Sequence, residues 1–242
     1  MRQRLGHFAR TYGHLVALGV VVIVAMLRRA GGFTSTSLWF DDAWAALPSH
    51  ESLTTALHMS VSTPLWTLME RSWILLHPHV SWWAQIPSYV FSLVATVLLY
   101  LMLRRAEVSP RASSLATALF AVNPIMTTYA TRVKPYTLEV VCAEVLIIAA
   151  MSYVSRPRTK TLVLLGLASF ISVAISFGTL VTVAALWLVV LWLTRADRRT
   201  LVRTLLGALA AGAAALAVVA PYVLGRPPSL GDNWINRGYM LP

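Results

Sequence analysis

Charge is scarce in this sequence. Asp, Glu, Lys and Arg make up 12% of its 242 residues, about half of what a soluble domain uses to solvate its surface. Hydrophobic residues supply 57%, and the mean hydropathy is +0.68. With long apolar runs, that shortage excludes a water-solvated globule and makes lipid the solvent. The single cysteine, Cys142, lies inside an apolar run, which excludes an internal disulfide and leaves the redox compartment unmarked. Acidic residues are few, 9 against 20 basic ones, for a net charge of +11. In a soluble protein that surplus would suggest nucleic acid. Here the cations sit in short clusters between apolar runs, as topology signals do, and neither an aromatic-plus-basic RNA motif nor a helix-turn-helix pattern accompanies them. Walker loop, Rossmann glycines and nucleophile elbow are all missing. The first apolar run is followed by Arg28 and Arg29 rather than by a small-residue cleavage site, so no cleavable signal peptide is expected.

The apolar runs predict an all-α integral membrane fold, a single region of about seven transmembrane helices at 11–27, 82–103, 112–126, 136–153, 161–177, 179–193 and 205–223. The third is broken near Asn123-Pro124. The fifth and sixth come from one uncharged stretch of 34 residues between Lys160 and Arg195. As one helix it would be about 51 Å long, too much for a hydrocarbon core of about 30 Å, so it turns at Ser176-Phe177-Gly178. The seventh is rich in alanine and glycine, small residues that let helices approach closely in lipid.

Orientation follows from the basic loops. With a cytoplasmic N-terminus, 13 of the 20 Lys and Arg residues fall on the inner side and 7 on the outer. That places the long first loop, 28–81, outside a bacterial plasma membrane. Arg28 and Arg29 run against this bias. Within the loop, Thr63-Pro64 reads as a helix start, with a cap residue and proline at the first helical position. Leu65, Leu68, Met69, Trp73 and Leu76 then follow helical spacing with Glu70 and Arg71 off the stripe, the pattern of a helix lying in the membrane interface. Asp41 and Asp42 open a second short helix.

Four sets of residues could carry chemistry. Asp41 and Asp42 are adjacent carboxylates at a lipid–water boundary, and mutual repulsion raises one pKa. Such a base can take a proton from an acceptor hydroxyl; the bland reading is a helix cap. Arg132 and Lys134 stand where the third span hands over to the fourth, on the same outer side. They can hold a lipid phosphate, or merely anchor the headgroup region. Glu139 and Glu144 lie within the fourth span, where ionisable groups are costly and are either functional or paired with a neighbouring helix. His50, His58, His77 and His79 share the outer loop as interfacial polar residues. No ligand spacing supports a divalent metal, since His77-Pro78-His79 is not a metal spacing and no cysteine joins it. Trp82 and Trp83 read as an aromatic belt.

Several stretches together resemble a family. Ser37-Leu38-Trp39-Phe40-Asp41-Asp42-Ala43 looks like the "SLWxDEA" of the GT-C glycosyltransferases, specifically the protein-O-mannosyltransferase and aminoarabinose-transferase branch that uses polyprenyl-phosphate sugars. Thr63-Pro64-Leu65-Trp66 looks like its "PPLY", and Tyr129 to Tyr136 like its "YSQExRPY", with Glu139 where many relatives carry an acid. The order of these motifs and their outer-face placement are shared as well. Two positions depart: Asp42 stands where relatives carry Glu, and Arg132 stands where they carry an acid, offering the site a second cation. The resemblance implies a GT-C-like fold and an inverting transfer of a sugar from a polyprenyl-phosphate donor to an acceptor hydroxyl. Asp41 would be the base beside Asp42. Arg132, Lys134 and Tyr136 would hold the lipid phosphate, with Glu139 as a supporting acid. Membrane lipid, the donor and a hydroxyl acceptor are the implied partners and nucleic acid is not; no cofactor is marked, and a divalent metal stays open without ligand spacing to support it. Relatives carry more spans, so the chain reads as the N-terminal portion of such an enzyme. The alternatives are a transporter or channel subunit, which would want charges lining a path between repeated broken helices, and a non-catalytic membrane assembly protein.

Overall fold

The computed structural model describes residues 2–33, 38, 40–59 and 63–224. It is 82% helix, with no strand among the described residues. Among the described residues eleven helices follow one another: α1 Arg2–Ala30, α2 Phe40–Ala46, α3 Leu53–Met59, α4 Pro64–Ile74, α5 Ser81–Arg105, α6 Pro110–Ala121, α7 Pro124–Tyr129, α8 Tyr136–Ser155, α9 Thr159–Ile175, α10 Thr179–Thr194 and α11 Arg198–Leu224. A 3-10 turn, Leu47–His50, joins α2 to α3.

Among the described residues four stretches are long and apolar enough to cross a membrane: Gly13–Ala30 of α1, all of α5, all of α8, and Arg198–Ala220 of α11. α9 and α10 are apolar but shorter, at 17 and 16 residues. α6 and α7 have 12 and 6 residues. The break between them is the one expected at Asn123-Pro124. Asn123 Oδ1 accepts from Ile125 N at 2.8 Å, and Pro124 takes the first helical position, so one helix ends and another begins there. Several helices outrun the apolar cores that marked them. α11 begins at Arg198 rather than near Leu205, because exposed arginines at a helix end keep the backbone ladder intact while their heads reach water.

Helix α8 is the hub. It packs against α5, α9 and α10, while α11 lies against α9 and α10, and α1 and α6 lie against α5. One apolar core gathers Leu146 and Tyr153 of α8, Leu165 and Val173 of α9, Trp187 and Val190 of α10, and Ala211 and Ala215 of α11. Gly207 of α11 allows the close approach that a small-residue helix favours: a Cβ there would come within 2.8 Å of Leu162 Cδ1. Large apolar side chains such as Val181, Leu188, Leu206, Leu209 and Leu216 point outward. Small and hydroxyl side chains turn inward, as with Ser88, Ser92 and Thr96 of α5. This inside-out distribution suits helices surrounded by lipid.

α4 starts where the Thr63-Pro64 pair marked it. Thr63 is the N-cap residue by position, yet its hydroxyl donates to the carbonyl of Ile175 at the end of α9 instead of capping its own helix. Leu65 and Leu68 of the apolar stripe face outward, and Trp66, Thr67, Glu70 and Ile74 face inward. Trp83 is more than an interfacial ring. It stacks on Trp73 at 4.4 Å, and each indole N–H donates to the other residue's carbonyl, at 2.8 and 2.9 Å. That pair locks α4 to the start of α5, with His77 edge-on to Trp83.

Candidate functional site

Asp42 lies in the first turn of α2, and its carboxylate bonds outside that helix. Oδ2 meets Arg132 NH1 at 3.2 Å, and Oδ1 accepts from Val133 N at 3.2 Å. Both partners belong to the loop between α7 and α8. The Val133 side chain is fully buried among Ala45 and Ala46 of α2, Ile74 of α4 and Ala84 of α5. One short helix thus grips the loop twice, by an ion pair and by an apolar socket. A third hold comes from α5, where Ser88 Oγ donates to the carbonyl of Lys134 at 3.1 Å while Thr137 Oγ1 donates to the carbonyl of Ser88 at 3.0 Å. Gly32, just past α1, adds a close approach, since a Cβ there would sit 2.7 Å from Thr131 Oγ1.

Beyond this clamp the loop opens onto a cleft of about 190 Å³, lined by Thr63, Lys134, Pro135, Tyr136 and Glu139 and by the 175–178 turn between α9 and α10. Ser176 Oγ donates to Glu139 Oε1 and accepts from Gly178 N at 3.2 Å. The sharp turn expected at Ser176-Phe177-Gly178 therefore also fixes the carboxylate of α8. Tyr136 meets Tyr129 edge-on at 4.8 Å. Of the residues singled out from the sequence, Lys134, Tyr136 and Glu139 line this cleft together. Asp42 and Arg132 pair with each other outside its lining, Arg132 on the same loop as Lys134. The Asp41 side chain lies outside the described residues, as do Ser37 and Trp39.

Glu70 is the residue that sequence reasoning passed over. It is 3% exposed, on the inward face of α4, one turn beyond the fully buried Trp66. Burial pushes its carboxyl well above the ordinary value of 4.5, opposed by Lys134 and reinforced by Asp42. Burial also raises the Asp42 carboxyl, opposed by Arg132, by the Val133 N–H and by Lys134. Both carboxyls feel the charge of Lys134, which lines the cleft. The signal for Glu70 was its position four residues after Trp66, opposite the lipid-facing stripe.

Two further groups are buried. Glu144 lies within α8, and its Oε2 has no hydrogen-bond partner among the described residues. Arg29, which ran against the charge bias, is wholly buried: it donates to the carbonyl and hydroxyl of Ser92, to Thr96 Oγ1 and to the carbonyl of Ala121. It ties α1 to α5 and α6 and is not a loop cation; Arg28 beside it is exposed. Among the described residues, no group of three or more His, Cys, Asp or Glu side chains is placed to hold a metal ion.

Compared with protein-family models, with curated proteins and with solved structures, the chain matches none.

Proposed function

We propose that this protein is a membrane glycosyltransferase that moves a sugar from a polyprenyl-phosphate donor to an acceptor hydroxyl, with inversion, at the membrane face that carries α2 to α4. The observation that carries the reading is the junction of Asp42 with Arg132 and Val133. Two stretches that resemble motifs of one enzyme family, far apart in the chain, meet at one place beside a cleft lined by Lys134, Tyr136 and Glu139.

In this reading seven segments cross the bilayer. The four long helices are joined by the broken pair α6–α7 and by α9 and α10, each roughly 25 Å long at helical rise, lengths a bilayer accommodates by local thinning. The N-terminus is cytoplasmic and the cleft faces the outside of a bacterial plasma membrane.

The donor phosphate enters the cleft and meets the Lys134 ammonium and the Tyr136 hydroxyl, which stabilise charge as the phosphate departs. Asp41 takes the proton of the acceptor hydroxyl. The acceptor oxygen bonds to the anomeric carbon, the bond from that carbon to the phosphate oxygen breaks, and polyprenyl phosphate leaves with the electron pair. Asp42 and Arg132 keep the loop in register with the base, and Ser176 holds Glu139 as the supporting acid.

Donor binding tests the reading. Purified protein in detergent should bind polyprenyl monophosphate saturably, and Lys134→Ala should weaken that binding by roughly tenfold, in keeping with the loss of one charge-assisted contact. Thr131→Ala should leave it unchanged. Equal affinity in the Lys134→Ala protein, or no binding by the parent, would overturn the proposal.

A further inference from the structure

A second cavity lies at the other end of α8. It has a volume of about 410 Å³ and is lined by Tyr153, Pro157, Arg158 and Leu162 on one side and by Thr200, Arg203, Leu206 and Gly207 of α11 on the other. Tyr136 and Tyr153 bound α8 from opposite ends, so roughly 25 Å of helix separates this cleft from the first one.

We infer that this cleft binds the phosphate headgroup of an anionic phospholipid drawn from the adjoining leaflet. The charge is one-sided. Arg158 and Arg203 both line the cavity, and neither guanidinium makes an ion pair or side-chain hydrogen bond with a described residue. The surrounding segments, 156–160 and 195–203, carry seven cations and one acid, Asp197. That acid is already engaged, because its carboxylate accepts from Arg199 N at 3.1 Å and from Thr200 N at 3.3 Å. The Thr200 hydroxyl, which also donates to this carboxylate, and then those backbone contacts hold its proton affinity below the ordinary carboxylate range.

A loop cation that only sets topology needs no cavity. Here Arg158 and Arg203 line one concave space together with Tyr153, whose hydroxyl is paired with buried Thr204 at 2.9 Å. Guanidinium forks match phosphate oxygens in pairs. Basic pockets between transmembrane helices bind anionic headgroups in this way.

The apolar continuation selects a lipid over a soluble phosphate. Leu206 lines the cleft and is 61% exposed, and the outward face continues along α11 through Leu209 and Leu216. Acyl chains laid on that face would leave the phosphate at Arg158 and Arg203.

The experiment uses the full chain in dodecyl maltoside micelles doped with phosphatidylglycerol, phosphatidylcholine or neither, with bound lipid counted by native mass spectrometry. Phosphatidylglycerol should bind saturably. The double variant Arg158→Ala/Arg203→Ala should weaken it by about thirtyfold, the loss expected for two surface cations. Arg105→Ala/Arg111→Ala removes the same charge from exposed positions outside the cleft and should leave binding within about twofold, and Arg158→Lys/Arg203→Lys controls for folding by restoring part of the affinity. Three results would overturn the inference. They are equal loss in the two alanine pairs, equal binding of phosphatidylcholine, and inorganic phosphate displacing phosphatidylglycerol at an affinity matching the lipid's own.

Discussion

Asp42 and Arg132, ninety positions apart in the chain, meet at 3.2 Å beside the candidate cleft. Asp42 is nearly fully buried, and the side chain of Arg132 is 21% exposed. The pair couples the short α2 helix to the loop that carries Lys134. Removing Arg132 would leave a buried carboxylate with only the Val133 N–H to satisfy it. Arg132→Ala is therefore expected to destabilise the protein by about 1–3 kcal/mol. In a double-mutant cycle with Asp42→Asn, thermal unfolding should give non-additive losses. Additive losses would mean that the two side chains do not act as a unit.

Arg29 makes the second structural prediction. Its guanidinium satisfies acceptors on α5 and on α6. Arg29→Leu would remove the donor that joins these acceptors to α1 and should lower the midpoint of thermal unfolding, a loss of about 3 kcal/mol. Arg28→Leu, at an exposed position, should change it far less. Equal effects would return Arg29 to the role of a loop cation.

Glu70 yields a pH dependence. Its folded proton affinity is raised above the ordinary 4.5. The folded state therefore holds its proton longer than the unfolded chain does. The stability this contributes is fully present below the unfolded value and is lost as pH rises through the folded one. Between those two values the parent protein should lose about 1.4 kcal/mol per pH unit relative to Glu70→Gln, which cannot ionise. Melting curves of the two proteins taken from pH 4 upward should diverge with rising pH. Parallel curves would show that Glu70 ionises in the folded protein as readily as in the unfolded chain.

Much of the local structure was legible because it rests on backbone chemistry that lipid does not alter. Proline at the first position of α4 and α7, the Asn123 cap and the turn at 176–178 all stand where the sequence marked them. Lys134, Tyr136 and Glu139 could be grouped because they lie within six residues at one helix entry. Glu70 and Arg29 were hidden for a common reason. In water a charged residue off an apolar stripe faces solvent, whereas in a lipid-facing helix the apolar stripe takes the outside and polar groups turn inward. The polar ladder Ser88, Ser92 and Thr96 along α5 announced an interior that wanted a donor, but only the fold could assign that donor to Arg29. Nor could the sequence choose between a capping and a bridging role for Asp42, since its partners lie in a loop ninety positions away.

Orientation is open to direct labelling. The only native cysteine, Cys142, is buried, so the background should be low. Glu51 and Ser109 are both exposed. In intact cells a membrane-impermeant maleimide should modify a Glu51→Cys protein and spare a Ser109→Cys protein until the membrane is opened. Ser49 would be a poor probe, being 1% exposed. The opposite labelling pattern would put the candidate cleft on the cytoplasmic face and away from an external acceptor.

The central claim is catalytic, and turnover tests it most directly. Membrane vesicles containing the full-length protein would be supplied with a panel of polyprenyl-phosphate sugars and the release of polyprenyl phosphate followed over time. General-base catalysis contributes about 10²–10⁴-fold. With at least one donor the parent should release polyprenyl phosphate, and Asp41→Asn should lower that rate by about that factor while donor binding stays within twofold. Asp42→Asn should cost less, since its carboxylate serves the loop. Release at the parent rate by Asp41→Asn would contradict the assignment of the base, and no release by the parent from any donor in the panel would contradict the glycosyltransferase reading itself.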